Sequence, residues 1–306
     1  MKSKKKLPDR GIVKTVNELR RKRLVGVVYI ILRILVIMCM IWQVVEGRYE
    51  NVALCVLTLI LLLLPTVVED AFKVDFPDVF EIIVMCFAFA AEILGEINAF
   101  YTRFPGWDTV LHTVNGFMCA AIGFAIVDLF NRNKHFTLQL SPLYLAISSF
   151  CFSMTIGVLW EFFEFGMDTF FGFDMQKDFV VNSINSVTLD PAGMNKVVHI
   201  KDIKDVIVVT SDGEQAALGV GGYLDVGIID TMKDLLVNFV GAVFFSIIGA
   251  LYARGRDKKS GKIASQFIPK VMDDGISPNE KKLEIIEKDI VQVAASDKKI
   301  ETEENS

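Results

Sequence analysis

Residues Leu24–Val45 read LVGVVYIILRILVIMCMIWQVV, 22 positions with Arg33 as their one charge. A helix rises ~1.5 Å per residue, so this run reaches ~33 Å, enough for the ~30 Å hydrocarbon core of a bilayer. Backbone polar groups in lipid must be satisfied within the segment, which makes a helix the structure expected here. A cleaved signal peptide is the rival reading. The apolar run is too long for such a leader, the basic stretch before it is extended, and no A-x-A site follows.

Further apolar blocks follow at 52–68 (with Pro65 near the end), 79–100, 108–130, 142–165 and 226–253. A hydrophobic content of 52% and mean hydropathy of +0.44 fit this pattern and exceed the usual soluble range. The fold class expected is an all-α polytopic membrane protein of about six transmembrane helices with a small extracytoplasmic α/β insert. The chain divides into a basic cytoplasmic N-terminus (1–23), helices one to five (24–168), the insert (169–225), helix six (226–253) and a polar cytoplasmic tail (254–306).

Charge sets the orientation. Ten Lys/Arg stand in residues 1–23 against Asp9 and Glu18, flush with the first span. That placement marks a cytoplasmic side and an attraction to anionic lipid better than it marks nucleic-acid binding. With the N-terminus inside, Lys73, Arg132, Lys134, Arg254, Arg256, Lys258, Lys259 and Lys262 also fall inside, while the opposite segments near the membrane offer Arg48 and Arg103. The bias predicts a multi-pass plasma-membrane protein with both ends in the cytoplasm.

In the insert, KVVHI (196–200) and VIVVT (206–210), the second followed by Ser211-Asp212-Gly213, predict a β-hairpin or three-stranded piece. The Gly-rich run 219–222 lacks the context of a nucleotide-binding loop and reads as a connector. Residues 174–182 and 230–238 share D-x-x-K-D-x-x-V-N, a chance match or two similar helix starts. All five cysteines lie in apolar blocks without a C-x-x-C pair, and read as small core hydrophobes. A helix is expected over 279–293 and a disordered end beyond it. Arg33 is expected to pair with an acid such as Glu81 or Glu92, and Trp107 and Trp160 to anchor at the interface.

Ionisable residues in membrane helices are rare, since a charge at the centre costs about 2.5–3.5 kcal/mol even on insertion scales. Here they recur at helical spacing: Glu92 and Glu96; Asp108 and His112 with Asn115; Glu161, Glu164 and Asp168; Asp230, Asp234 and Asn238. Spans three and five run outward, spans four and six inward. Late acids of the first pair and early acids of the second therefore reach one outer level. Asp108, His112, Glu161, Glu164, Asp230 and Asp234 are the expected ligands of a divalent metal, with Glu92, Glu96, Asn115, Asp168 and Asn238 around them. Carboxylate-plus-His sets suit Mg²⁺, Mn²⁺, Zn²⁺ or non-haem iron. Solvated helix ends, protonated carboxylates in an ion path, and a structural polar core are the other readings.

The residues Asp108-x-x-x-His112-x-x-x-Gly116, Glu161-x-x-Glu164 and Asp230-Thr231-x-x-Asp234 with Gly241-Ala242 resemble the YjdF-type family of bacterial inner-membrane proteins, and more distantly the VanZ-like proteins. The resemblance covers spans three to six, implies that fold and a bacterial plasma membrane, and supplies no substrate. Three functions follow as alternatives. The first is a metal-dependent hydrolase or transferase on a lipid or envelope substrate, with a metal-activated water and a spare carboxylate as base. The others are a proton- or cation-coupled transporter, against which no inverted repeat is visible, and a non-catalytic envelope or stress-resistance protein. The bilayer is the expected partner, and nucleic acid is not.

Overall fold

The computed structural model describes residues 10–72, 74–132, 140–255, 265–268 and 270–271. Helix α1 (Arg10–Val45) carries the basic stretch and the first span in one rod. Helix α2 (Tyr49–Leu61) stops four residues before Pro65, and α3 (Leu64–Phe72) restarts with that proline in its first turn. The break has a covalent cause: Pro65 has no N–H to give, and its ring would strike the carbonyl of Leu61. The expected third span is helical from Asp78 to Ile97 but changes character midway. Helix α4 (Asp78–Phe89) passes into a π-helical segment, Ala90–Ile97. Asn98 ends it by donating Nδ2–H to the Ile93 carbonyl at 2.6 Å, and Ala99 is left-handed at φ 56°. The chain then folds back through α5 (Phe100–Arg103), so tightly that a Cβ on Gly95 would lie 2.4 Å from the Tyr101 ring.

Three long helices follow. Helix α6 covers Trp107–Arg132, α7 Pro142–Phe171 and α8 Ile228–Arg254. Ser141 caps α7 by accepting the Tyr144 N–H at 3.2 Å, Pro142 sits in the first turn, and left-handed Gly172 (φ 69°) ends it. Among the described residues, five helical stretches are long and apolar enough to cross a membrane: Leu24–Val45, Tyr49–Glu69, Trp107–Asp128, Pro142–Phe171 and Ile228–Arg254.

The helices pack as two groups. α6, α7 and α8 lie against one another, around a core containing Phe80, Phe124, Leu145 and Phe245. α1, α2 and α4 gather about Val36, Cys55, Leu62 and Met85. The burial pattern is inverted relative to a water-soluble protein. Ile30, Ile34, Trp42, Phe162, Phe165, Leu236 and Phe244 are exposed, while Glu161, Glu164, Asp230, Asp234 and Asn238 are buried. A surface of large aliphatic and aromatic side chains around a polar interior is stable in lipid and not in water. The chain is an all-α polytopic membrane protein.

Residues after Gly172 form three small antiparallel pairs: β2 (Val180–Val181) with β7 (Tyr223–Leu224), β3 (Ile184–Ser186) with β4 (Val198–Ile200), and β5 (Ile207–Val209) with β6 (Gln215–Ala217). The last is a hairpin turning at Ser211-Asp212-Gly213, where Gly213 has φ 85°. The repeat at 174–182 is not a second helix start. Gly172 ends α7, and the repeat runs as coil into β2, paired with β7. Beyond α8, β8 (Lys270–Val271) returns to pair with β1 (Val74–Asp75), and Ile268 is buried in the α6–α8 core. The helix expected over 279–293 and the expected disordered end lie outside the described residues. Arg33 stands over the Tyr29 ring at 4.9 Å, and its buried Nε has no hydrogen-bond partner among the described residues.

Between β3 and β4, the Asp190 carboxylate accepts the backbone N–H groups of Lys196, Ala192 and Met194 at 2.9–3.1 Å. The Lys196 amide first, then the others, hold its pKa below the usual carboxylate value. A depressed acid stabilises the fold above its ordinary pKa, and that support disappears as pH falls through the lowered folded value. Acidification to that range is expected to lower the hydrogen-exchange protection factors of these three amides selectively. Asp190→Asn should have low protection at every pH.

Candidate metal centre

Three of the long helices bring their polar ends together because they alternate in direction. Asp108 is in the first turn of α6 and His112 one turn later. Asp230 and Asp234 occupy the first two turns of α8. Glu161 and Glu164 lie ~28 and ~33 Å along α7 at 1.5 Å per residue, so the far end of α7 meets the near ends of α6 and α8. Spacing of i, i+3 or i, i+4 puts each pair on one helix face.

Glycines permit the close approach. A Cβ on Gly241 of α8 would lie 2.1 Å from the Thr113 carbonyl oxygen of α6, and one on Gly116 would lie 2.2 Å from that of Asn238. A Cβ on Gly157 of α7 would meet the Asn238 amide at 2.7 Å. Small residues at these crossings let the backbones touch, as membrane bundles require.

The resulting cluster has two parts that share one residue. His112 Nε2 lies 3.5 Å from Asp108 Oδ1 and 3.7 Å from Asp234 Oδ2. In a tetrahedral site with bonds of 2.0–2.1 Å, ligand atoms are roughly 3.3 Å apart, so the spacing suits an ion between them. Asp234 also joins Glu161 and Glu164, and within each triad the candidate ligand atoms are within 4.8 Å of one another. Glu161, Glu164 and Asp234 are only 5%, 8% and 4% exposed. Among the described residues, the Oε2 atom of Glu161 is buried without a hydrogen-bond partner. A buried carboxylate oxygen left unsatisfied is costly, and a cation is one group that would satisfy it. These acidic and His groups could hold a metal ion.

The other expected site residues have different partners. Asp230 accepts the Lys177 backbone N–H at 2.7 Å and belongs to neither triad. Asp168 accepts the backbone N–H groups of Met175 and Gln176 at 2.6 and 2.8 Å, fastening the start of the insert. Glu92 and Glu96 stand on the π-helical segment, outside both triads. Asn115 donates to Asn238 Oδ1 at 3.4 Å, and Asn238 lies 3.5 Å from the Ser153 carbonyl. Ser153 in turn donates to the Gly116 carbonyl, forming a polar floor beneath the carboxylates. Below that floor Ser149 donates to the Ala120 carbonyl, and Phe124 and Phe245 close the helix interface.

Several contributors were not recognisable as such in the sequence. Trp160, expected as an interface anchor, donates its indole N–H to Glu164 Oε1 at 2.9 Å. Its i, i+4 spacing from Glu164 was the available signal. Gln176 donates to the Thr231 hydroxyl at 2.5 Å, linking the insert to the start of α8 beside the cluster. Phe179 donates its N–H to Asp225, which also accepts the Ile229 N–H at the start of α8. These contacts join residues about fifty positions apart, and no local pattern announces them. The insert is therefore fastened to the ends of α7 and α8 beside the cluster, and the Asp108 side chain is a third exposed.

No curated protein and no solved structure matches the chain. A family match spans residues 28–196, more than half of the chain, from α1 to the loop before β4. It takes in Asp108, His112, Glu161 and Glu164, and ends before Asp230 and Asp234. On that match, and with the fold described above, the chain belongs to the predicted membrane protein family DUF2238.

Proposed function

We propose that this protein binds a divalent cation between α6, α7 and α8 and uses it in a hydrolase or transferase reaction on a lipid or another envelope substrate. The observation that carries the reading is the meeting of Asp108, His112, Glu161, Glu164 and Asp234 in two triads that share Asp234, with Glu161 Oε2 unpartnered among the described residues. A bound divalent ion would supply Lewis acidity and lower the pKa of a coordinated water. His112 and Asp234 would orient and charge-balance it. Asp108, the most exposed of the ligands, faces the opening and is placed to take a proton from a water. The apolar flanks of α7 and α8, with Phe162, Phe165 and Leu236 exposed, would let an acyl chain lie against the bundle. Asp230 belongs to this reading as an electrostatic contributor held by the insert.

The positive-inside bias supports both termini in the cytoplasm and the cluster on the outer face of a bacterial plasma membrane. The YjdF-type likeness, with its VanZ-like relatives, is part of the same proposal. The closed floor below Ser153 favours a pocket over a transport path, because Phe124 and Phe245 block the interface beneath it.

Elemental analysis of detergent-purified protein tests the proposal. Wild type is expected to retain at least one divalent ion per chain, and His112→Ala and Asp234→Asn to retain less metal than wild type while eluting as the same folded species. Wild type that stays metal-free, even after incubation with Mn²⁺ or Zn²⁺, would overturn the reading.

A further inference from the structure

We infer that the site is a two-cation centre bridged by Asp234, an inference that rests on the metal-binding reading above and extends it. Two observations lead there. The first is geometric. Asp234 belongs to both triads, and a carboxylate has two oxygens. Its Oδ2 lies 3.7 Å from His112 Nε2, on the Asp108 side. Glu161 and Glu164 reach the same carboxyl group from the opposite helix, α7. The five side chains do not form one group with ligand atoms all within 4.8 Å of one another; they form two, and Asp234 is their common member. Two ions can gather all five, each with two ligands of its own and Asp234 between them. Carboxylates from facing helices hold paired metals in other helical bundles in this general way.

The second observation is charge. Asp108, Glu161, Glu164 and Asp234 supply four negative charges when ionised, and three of these residues are nearly inaccessible to solvent. One divalent ion would leave two negative charges uncompensated in a buried site, a costly state. Two divalent ions balance four carboxylates. The nearby cations do not fill this role: Lys233 lies over the Phe179 ring, and Lys177 contacts Asp174. The orphaned Glu161 Oε2 is in the second triad, the one without His112, so the second ion has its own unsatisfied ligand.

The two positions differ in chemistry. The Asp108–His112 position has a nitrogen ligand and suits Zn²⁺, Mn²⁺ or Fe²⁺; the Glu161–Glu164 position is all oxygen and also admits Mg²⁺. Excess Mg²⁺ should therefore displace Mn²⁺ from the second position first.

Titration of metal-stripped protein with Mn²⁺ alone, followed by equilibrium binding and electron paramagnetic resonance, tests this. Wild type is expected to take two Mn²⁺ per chain and show an exchange-coupled pair signal. His112→Ala and Glu161→Gln should each take one and show an isolated-ion signal, with Mg²⁺ abolishing Mn²⁺ binding only in His112→Ala. Their melting in detergent shows whether each variant is folded, and His112→Asn and Glu164→Gln repeat the test should either fail. One Mn²⁺ in wild type, lost in both variants, would overturn the paired centre and leave the single-metal reading standing. No Mn²⁺ in wild type would overturn both.

Discussion

Glu161→Gln is expected to raise the melting temperature of the metal-free protein and to weaken its stabilisation by metal. Glu161 is 5% exposed and shares a small volume with Glu164 and Asp234. Like charges ~4 Å apart repel by about 4 kcal/mol at an effective dielectric near 20. Glutamine keeps the shape and adds an amide N–H₂ group that can donate to a neighbouring carboxylate. A net gain of about 1–2 kcal/mol is expected in chelator, or roughly 2–6 °C for a chain of this size. Metal reverses the ranking. A ligand at 100 times its Kd stabilises the folded state by about 2.7 kcal/mol, and the wild type alone receives the full effect. Melting curves of both proteins in EDTA and in Mn²⁺ should therefore cross over. A Glu161→Gln protein less stable than wild type in EDTA would mean that the carboxylate is structural and that the cluster is not built for a cation.

The reason this cluster was legible in the sequence is that its pieces obey local rules. Glu161 and Glu164, Asp108 and His112, and Asp230 and Asp234 each repeat at helical spacing within an apolar block, and helix direction alternates along the chain. Those two facts place the end of α7 beside the starts of α6 and α8 without any long-range information. What could not be read depends on contacts across the sequence or on small backbone energy differences. Asp230 looks like Asp234 in every local respect, yet the Lys177 amide takes up its Oδ2. Asp168 continues the acidic stripe of α7, yet it fastens the insert. The change to π-helix at Ala90 leaves Glu92 and Glu96 four apart as in an α-helix, and nothing in the apolar pattern marks it. The repeat at 174–182 looks like a helix start because its residues match those of α8. A single left-handed glycine at 172 and a strand partner at 223–224 decide otherwise.

The last expected result concerns the crossing that supports the site. Gly241→Ala should be strongly destabilising although it adds one methyl group far from any charge. The new Cβ would lie 2.1 Å from the Thr113 carbonyl oxygen and 2.9 Å from the Phe117 nitrogen, both backbone atoms of α6. Backbone inside a helix cannot rotate aside as a side chain can, so the helices must separate by more than an ångström. Overpacking of this kind costs typically about 1–3 kcal/mol. The separation also acts at a distance. Asp234 is two turns from Gly241 on α8 and His112 is next to Thr113 on α6, so moving the helices apart lengthens the His112–Asp234 spacing directly. Metal affinity should fall on the order of 10-fold or more, the size seen when residues that position ligands are altered. Gly116→Ala, whose Cβ would lie 2.2 Å from the Asn238 carbonyl oxygen, should behave alike. Gly166→Ala on α7 is the control. Its Cβ would meet only Phe170 at 3.9 Å, an ordinary contact, and replacing a helical glycine by alanine gains about 0.5–1 kcal/mol. Thermal melts with Mn²⁺ titrations on the three variants separate the outcomes. If Gly241→Ala melted and bound like Gly166→Ala, α6 and α8 would not be in backbone contact, and the geometry that joins His112 to Asp234 would be lost with it.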